Sequence, residues 1–559
     1  MKKTALLSLL ILMSVFSCKE KEKETAMAAE NETKKPNIIV IMSDDMGYSD
    51  IAPFGGEIET PNLTKLADNG VRFKQFYNTA RCCPTRASLM TGCYPQQTGI
   101  GHMTNSPERP GHHNYGTPEY QGFLNTKTVT IAEVLKESGY STIMSGKWHL
   151  GMSKEEYWPK QRGFEKFYGI VSGASNFFKP VYPRGIYKNN EPVVITDPDF
   201  YTTDAFTDNA LTYIDEAKTE KPDQPFFLYL AYTAPHWPLQ APQDVVDKYK
   251  GRYSKGWGEL RKERYARMKE MGIIDASWNL TEQDARSWDS LSEEKKKEMD
   301  LRMTIYAAMV DRMDQNIGRL YDHLEKKGEL DNTFIIFLND NGACAENEEL
   351  GTGPASQLET KEGYLLSYGQ AWANASNTPY REYKHWLHEG GMATPFIVHW
   401  PEGIDKNKNG NLLNQYGFLP DIMATCLDLA DAKYPENYNG NAITPHSGKS
   451  MLATLKNPEK PIHEEPIFWE HEGNKSVRLG KFKLVQDWDK KNADNWELYD
   501  MELDRTETNN IIDDNKETAD KLIGYYNEWA TANNVMDWKD VTKILKSRRK
   551  NKKVKFDKH

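Results

Sequence analysis

Apolar runs alternate with amphipathic stretches along most of the chain. Continuous runs rich in β-branched and aromatic residues are typical of strands buried on both faces, and they occur at residues 37–42, 226–231, 333–338 and 395–400. Residues 141–144 predict a further strand, and residues 129–137 and 304–327 predict amphipathic helices. This alternation predicts an α/β fold, with a large doubly wound mixed sheet flanked by helices on both faces.

The pattern changes after about residue 450. Short strand-like segments with tight turns predict a small antiparallel sheet at 467–470, 476–479, 481–486 and 497–499, followed by a helix at 515–532. We therefore divide the chain after residue 35 into a large α/β domain at 36–445 and a small α+β subdomain at 446–540. Residues 541–559 are rich in Lys and Arg and aperiodic, which predicts a solvated basic tail. The strongly charged residues 250–300 predict helical insertions on the surface.

The amino terminus has the pattern of an export signal. Lys2 and Lys3 precede an apolar run at 5–16, which is shorter than a membrane-spanning helix requires. Residues 15–18, Val-Phe-Ser-Cys, resemble a bacterial lipobox, which implies a signal peptide at 1–18 and lipid attachment at Cys18. The charged residues 19–35 then predict a tether, and we expect a periplasmic or cell-surface protein anchored by lipid in the outer membrane. The alternative is an ordinary signal that is cleaved near Ala28.

Composition excludes several functional classes. The chain has 559 residues, with 71 Lys and Arg against 81 Asp and Glu, and its net charge is −10. This balance argues against a nucleic-acid partner, which needs a basic face, but it leaves room for an anionic small substrate in a locally basic site. Six cysteines in a chain of this length do not form a disulfide scaffold.

Acidic residues follow two of the predicted strands. Asp44 and Asp45 come after the first strand, and Asp340 and Asn341 come after the strand at 333–338. Adjacent carboxylates repel each other unless a cation lies between them, and oxygen ligands favour Ca²⁺ or Mg²⁺ over a soft metal. Aspartates at strand ends are also common helix N-caps, so each pair has an alternative interpretation.

A cysteine-containing motif lies at residues 81–92. Taken locally, Cys82 is near the start of a helix, which predicts a lowered thiol pKa and a possible nucleophile. The pattern Cys82-x-Pro84-Thr85-Arg86-x-x-Leu89-x-Thr91-Gly92 resembles the type I, formylglycine-dependent sulfatases of the alkaline phosphatase superfamily. Further blocks resemble the family in the same order along the chain: 44–45, 146–151, 234–236, 340–341, 377–391 and 496–500.

The resemblance implies a modified residue and a metal site. Cys82, and not Cys83, would be oxidised to formylglycine (3-oxoalanine) by a sulfatase-maturing enzyme. One Ca²⁺ ion, in preference to Mg²⁺, would be bound by the family's ligand positions, which correspond to Asp44, Asp45, Cys82, Asp340 and Asn341. The reaction would be S–O cleavage through a formylglycine sulfate ester, in which Asp340 accepts the proton of the nucleophile.

The resemblance also implies roles for basic residues. Arg86 and Lys147 would hold the formylglycine and the ester, His236 with Lys384 would protonate the leaving alcohol, and His149 would be the base that releases sulfate. A lone histidine or lysine is more often structural, so these roles depend on the whole set of matching blocks. The expected substrate is a sulfated small molecule or oligosaccharide, such as a fragment of an algal polysaccharide. The alternatives are a phosphonate or phosphate ester hydrolase of the same superfamily and a non-catalytic lipoprotein that binds sulfated glycans.

Overall fold

The computed structural model describes residues 34–106, 111–346, 348–489, 491 and 495–556, with side chains up to residue 548. The predicted signal peptide, Cys18 and nearly all of the tether lie outside the described residues, so these predictions stay predictions. Within the described ranges, none of the helices combines the length and apolar character that crossing a bilayer requires.

A ten-stranded mixed sheet forms the centre of the large domain. In spatial order its strands are β10, β2, β9, β8, β1, β7, β3, β4, β5 and β6. Their bounds are β1 (Asn37–Ser43), β2 (Val71–Tyr77), β3 (Ser141–Lys147), β4 (Lys166–Ile170), β5 (Ile186–Lys188), β6 (Glu191–Val193), β7 (Phe226–Ala231), β8 (Thr333–Asn339), β9 (Phe396–His399) and β10 (Asn411–Phe418). All the strands predicted for this domain are present.

Five neighbouring strands, β8, β1, β7, β3 and β4, share one direction and end at one edge of the sheet. β1 is parallel to β8 and β7, and β7 is parallel to β3. The register pairs Ser43 with Asn339, Met42 with Ala231, and Ala231 with Gly146. The residues that follow these strands are therefore brought together, as in other open α/β sheets. β9 is antiparallel to both of its neighbours, which makes the sheet mixed.

Helices cover both faces of this sheet. Alternate residues of β1 belong to two separate cores: Ile39 and Ile41 pack on one face, and Ile38 and Val40 on the other. This confirms the predicted doubly wound arrangement. The helices are α1 (Pro61–Asp68), α2 (Cys82–Thr91), α3 (Pro95–Thr98), α4 (Ile131–Glu137), α5 (Thr202–Glu220), α6 (Gln243–Tyr249), α7 (Gly256–Glu270), α8 (Glu293–Lys327), α9 (Gln370–Ser376), α10 (Glu389–Met392), α11 (Pro420–Ala430), α12 (Leu452–Lys456), α13 (Lys516–Ala532) and α14 (Trp538–Phe556).

The carboxy-terminal part contains the predicted antiparallel sheet. After a small hairpin of β11 (Asn437–Tyr438) and β12 (Asn441–Ala442), four strands pair in sequence order: β13 (Ile467–His471), β14 (Asn474–Leu479), β15 (Phe482–Gln486) and β16 (Trp496–Asp500). Helix α13 packs Ala519, Leu522 and Tyr526 against this sheet, in one core with Val477 and Leu484. The predicted strands and helix are confirmed within two residues.

The structure differs in part from two predictions about charged segments. Residues 541–556 are not an aperiodic solvated tail, because they belong to helix α14, whose Val541 is fully buried beside Tyr115 and Tyr120. Residues 250–300 do contain helices, but α7 is not only a surface insertion. Its Arg264 is fully buried and bonds to Asp50. In both segments, contacts with distant parts of the chain bury a residue that we expected to be exposed because its neighbours in sequence are charged.

Helix α8 begins earlier than the hydrophobic periodicity predicted. It starts at Glu293, after Ser292, whose side chain accepts a hydrogen bond from the backbone N–H of Lys295. Because the first turns are polar, their helical character depends on this cap and not on an apolar stripe.

Candidate active site

The ends of the parallel strands β1, β8, β3 and β7 bring most of the predicted site residues to one place. A pair of aspartates follows β1, and an Asp-Asn pair follows β8. Lys147 is the last residue of β3, and one histidine lies in the loop after each of β3 and β7. These residues are Asp44, Asp45, Asp340, Asn341, Lys147, His149 and His236, and each is at least 95% buried. Asp45 and His149 have positive φ angles of 64° and 56°, so the backbone is strained at two positions in the site.

Helix α2 supplies two more of the predicted residues. Cys82 is its first residue, and Arg86 lies one turn further along the same face. The Arg86 guanidinium donates from Nη2 and Nε to Oδ2 of Asp340, at 2.7 and 3.1 Å, and from Nη1 to the backbone carbonyl of Lys147 at 3.0 Å. Arg86 therefore connects the helix that carries Cys82 to the ends of β8 and β3.

The buried carboxylates form a centre that fits a hard cation. Asp44, Cys82 and Asp340 offer ligand atoms that all lie within 4.8 Å of one another. Within the described part of the chain, Oδ1 of Asp44 and Oδ1 of Asn341 are buried without a hydrogen-bond partner. Buried oxygens without donors are uncommon, and a cation would satisfy both. The donor set is mainly carboxylate and amide oxygen, which suits Ca²⁺ or Mg²⁺.

Two lysines bind the same carboxylates. Lys147 Nζ lies 2.6 Å from Asp44 Oδ2, and Lys384 Nζ lies 2.9 and 3.0 Å from the two oxygens of Asp45. Burial alone would raise the pKa of Asp45, but Lys384 and His236 outweigh burial and hold that pKa well below its ordinary value. Burial and the neighbouring Asp44 raise the pKa of Asp340 to about 6. Both lysines are buried, so neither is a surface residue.

Burial lowers the pKa of both histidines near this centre. His236 Nδ1 donates to the backbone carbonyl of Trp237 at 2.6 Å, which leaves Nε2 facing Asp45 Oδ2 at 3.4 Å. Burial lowers the pKa of His236 to about 4. Burial and the nearby Lys147 also hold the pKa of His149 well below its ordinary value. His149 Nδ1 is buried and has no hydrogen-bond partner among the described residues.

The predicted lowering of the Cys82 pKa is wrong. Burial raises the pKa of this thiol, although Lys147 and Lys384 act in the opposite direction. The loss of hydration therefore outweighs both the start of the helix and the nearby lysines. A thiol that stays protonated is a poor nucleophile, so this environment does not favour Cys82 as an ordinary cysteine nucleophile.

A cavity of about 490 Å³ opens onto this centre. Cys82, His149, His236 and Lys384 line it, together with other polar and aromatic residues that include Arg81, His112, His113, Arg184, Trp237 and Glu346. Its size is that of a small-ligand site. The predicted catalytic residues are therefore grouped, although their individual roles stay predictions.

The sequence interpretation missed one ion pair in the cavity wall. Glu346 Oε1 accepts from Arg81 Nη1 at 2.6 Å, and its other oxygen lies 3.5 Å from Lys384 Nζ. Arg81 directly precedes Cys82, and Glu346 lies six residues after Asp340. Their closeness in sequence to these blocks could have indicated that they lie near the site. Neither residue belongs to the pattern that resembles the sulfatase family.

Comparison with known proteins defines the family of this chain. Residues 36–432 match the Sulfatase family, and residues 381–544 match the family described as N-sulphoglucosamine sulphohydrolase, C-terminal. The chain is 36% identical to an uncharacterized sulfatase of Schizosaccharomyces pombe over 90% of this chain and 94% of that protein. It is also 36% identical to an arylsulfatase of Klebsiella aerogenes, over 77% of this chain and 93% of that protein.

Solved structures agree with this assignment. The structure of Ps i-CgsB in complex with k-i-k-neocarrahexaose is similar with a TM-score of 0.64 and 26% identity, over 89% of this chain and 93% of that chain. The chain belongs to the Sulfatase family and has the sulfatase fold. It is a sulfuric ester hydrolase, and members of this family normally use a metal ion and formylglycine.

Proposed function

We propose that this sulfatase releases sulfate from sulfated carbohydrates by S–O cleavage, with residue 82 carried as formylglycine. The observation that best supports this mechanism is the grouping of three cationic side chains and two histidines beside one cavity and one carboxylate cluster: Arg86, Lys147, Lys384, His149 and His236. A sulfate monoester is an anion, and fixed positive charges in a buried site stabilise the charge that it carries into the transition state.

The chain's own residues would bind the ester and move protons. When bound, Ca²⁺ would draw charge from the sulfuryl oxygens, and the hydrated aldehyde at residue 82 would provide a hydroxyl that attacks sulfur. Asp340 would accept a proton from that hydroxyl, while Arg86 and Lys147 hold the reacting groups in place. Asp340 and Arg86 are already joined by two hydrogen bonds, which fixes the orientation of this carboxylate.

The histidines would act at the two proton-transfer steps. His236, assisted by Lys384, would protonate the leaving alcohol from Nε2, which must therefore carry a proton at this step. Its Nδ1 is held by a backbone carbonyl, so Nε2 is the nitrogen that faces the site. His149 would be the base that releases sulfate, and its unpartnered Nδ1 within the described residues is consistent with a role that a substrate completes.

A carbohydrate substrate is favoured by two findings about relatives. Ps i-CgsB is similar over nearly its whole length and was solved with k-i-k-neocarrahexaose, and the second matching family is named for N-sulphoglucosamine. In this chain, Trp237 and Arg184 line the cavity beside His236. An indole ring stacks well on a sugar face, and a guanidinium binds a second anionic group.

Release of inorganic sulfate from defined substrates tests this proposal. The protein, produced together with a sulfatase-maturing enzyme, should desulfate members of a panel of sulfated oligosaccharides and an aryl sulfate, and Cys82→Ala should not. An aryl phosphate and a phosphonate monoester should be much poorer substrates. Faster hydrolysis of the phosphonate than of every sulfate ester would instead support the alternative hydrolase of the superfamily.

Maturation and location are proposed on the sequence alone. Mass spectrometry of the Cys82 peptide from the native host should show the mass of formylglycine, whereas an unmodified thiol would support a non-catalytic glycan-binding protein. We also propose that the chain is exported and attached to a membrane by lipid at Cys18. Cys18→Ala should then move the protein from the membrane fraction to the soluble fraction, and an unchanged distribution would contradict the anchor.

A further inference from the structure

A second group of metal-ligating side chains lies outside the proposed calcium site. His385, His471 and Glu472 each offer one ligand atom, and the three atoms lie within 4.8 Å of one another. His385 follows Lys384 in the chain, whereas His471 ends β13 and Glu472 begins the turn after it. The group therefore lies between the segment that carries an active-site lysine and the small carboxy-terminal sheet.

The carboxylate of Glu472 is the centre of this group. Its Oε2 lies 2.9 Å from His385 Nδ1, and its Oε1 lies 3.7 Å from His471 Nε2. Oε1 is also 2.5 Å from His102 Nε2, and His102 Nδ1 lies 2.8 Å from the Tyr115 hydroxyl. If the hydroxyl donates to Nδ1, Nε2 carries the proton that His102 donates to Glu472. His102 thus orients the carboxylate, as outer hydrogen-bond partners do at metal sites.

His471 has an unusual environment. It is fully buried, and neither of its ring nitrogens has a hydrogen-bond partner within the described ranges. Its ring lies near those of His102 and His385, with centroid distances of 5.7 and 5.5 Å. A buried polar nitrogen without a partner is unfavourable, and Nε2 faces Glu472, where a bound ion would satisfy it.

We propose that His385, His471 and Glu472 bind a transition-metal ion of the zinc class and thereby fasten the segment carrying Lys384 to the carboxy-terminal sheet. Two imidazoles and a carboxylate suit zinc much better than calcium, which takes oxygen ligands. Ligand atoms on one tetrahedral zinc ion are separated by roughly 3.3 Å, so small side-chain rotations would close the group around an ion. A water molecule would complete the coordination.

The backbone around these ligands is also constrained. His385 and Glu472 have positive φ angles of 98° and 51°, which side-chain-bearing residues rarely adopt. The backbone N–H of His385 donates to the carbonyl of Ala80 at 2.7 Å, two residues before Cys82. An ion at this point would therefore restrain both the Lys384 segment and the loop that leads into the Cys82 helix.

Zinc titration by calorimetry tests this site. We would use the Cys82→Ala protein, free of any histidine tag and saturated with Ca²⁺, because the active-site thiol and carboxylates would otherwise compete for zinc. We expect one zinc ion per chain. His385→Ala and His471→Gln should each weaken the affinity at least tenfold. His399→Gln is the matched control, because His399 is also buried with no partner for either ring nitrogen among the described residues but lies on β9.

A cobalt spectrum gives an independent measurement. Co²⁺ should give the visible absorption of a four-coordinate nitrogen and oxygen site in the Cys82→Ala protein and in the same protein with His399→Gln, and adding His385→Ala instead should abolish it. The His385 side chain is 27% exposed, so its removal should not prevent folding, which a melting curve with Ca²⁺ checks. The proposal would be overturned if the Cys82→Ala protein did not bind zinc, or if His385→Ala and His471→Gln both left the zinc affinity unchanged.

Discussion

Adjacent cysteines in helix α2 have different surroundings. Cys82 lines the cavity, whereas Cys83 is fully buried in the core, with its sulfur near the His102 carbonyl and the Met103 sulfur. We expect Cys82→Ala to lower the rate of sulfate release by roughly a thousandfold or more, because the nucleophile is lost. Cys83→Ala should keep the rate within about twofold and destabilise the fold by about 1 kcal/mol.

Rates with an aryl sulfate and melting temperatures of both variants check this prediction. The two substitutions are chemically identical and one residue apart, so a general effect of losing a thiol on α2 cannot explain a difference between them. Loss of turnover in Cys83→Ala with an unchanged melting temperature would contradict the assignment of Cys82 as the reacting position.

The individual site residues differ in how far the sequence could predict them. Asp44 and Asp340 follow buried apolar runs, and parallel neighbours end at one edge, so their meeting was predictable. Glu346 was not predictable, because its bond to Arg81 joins residues 265 positions apart through a loop with no periodic pattern. The Cys82 pKa was predicted in the wrong direction, because the degree of burial depends on elements far away in the chain.

Close contact between strands makes one glycine of β3 essential. Gly146 has φ of 120°, and a Cβ on it would lie 1.9 Å from the backbone oxygen of Ala231 on β7. Because a backbone atom cannot move aside, Gly146→Ala should push β3 away from β7 and displace the adjacent Lys147. We expect a loss of stability of about 3 kcal/mol or more and a strong loss of activity.

Gly139 provides a matched control for this substitution. Its φ is 89°, and a Cβ there would meet nothing within 4 Å in the described structure. Gly139→Ala should therefore show only the strain of a positive φ, about 1 kcal/mol, with activity retained. Melting curves and sulfate release of both variants make the comparison. Equal destabilisation by the two would contradict the steric explanation.

The elements themselves were predicted well where local pattern determines them. Helix α4 starts with a capping box, in which Thr130 and Glu133 bond to each other's backbone N–H, and the sequence predicted its start within two residues. Helix α14 was missed, because it is held by Val541 packing beside Tyr115 and by Arg548 donating to the His112 carbonyl. Such contacts do not produce a hydrophobic periodicity in a segment rich in Lys and Arg.

Buried charges join the small carboxy-terminal sheet to the large domain. Glu389, the first residue of α10, lies 2.9 Å from Lys483 of β15 and 2.6 Å from Arg505, and Lys483 lies 2.7 Å from Glu507. The sequence predicted both folding units but not this connection, because charged residues usually indicate surface. Removal of one member would leave a partner charged and buried, which is strongly destabilising.

His388 makes this connection sensitive to pH. It is fully buried, with Nε2 2.8 Å from Glu497 and Nδ1 3.4 Å from Asp487. Burial alone would lower the pKa of His388. The carboxylates of Glu507, Asp487 and Glu497 outweigh burial and raise that pKa from 6.5 to about 10. The folded protein therefore binds a proton that the unfolded chain has lost between these two pH values.

This difference predicts a loss of stability in alkaline solution. The contribution of His388 is fully present below pH 6.5, falls by up to about 1.4 kcal/mol per pH unit as the pH rises, and is gone above pH 10. Denaturant unfolding at pH 7, 8 and 9 should show a steeper fall for the unmodified protein than for His388→Gln, which carries no titrating ring. Subtracting the two curves removes the effect of every other group that titrates in this range. Parallel curves would mean that His388 is neutral in the folded state, and that the two sheets are joined without its charge.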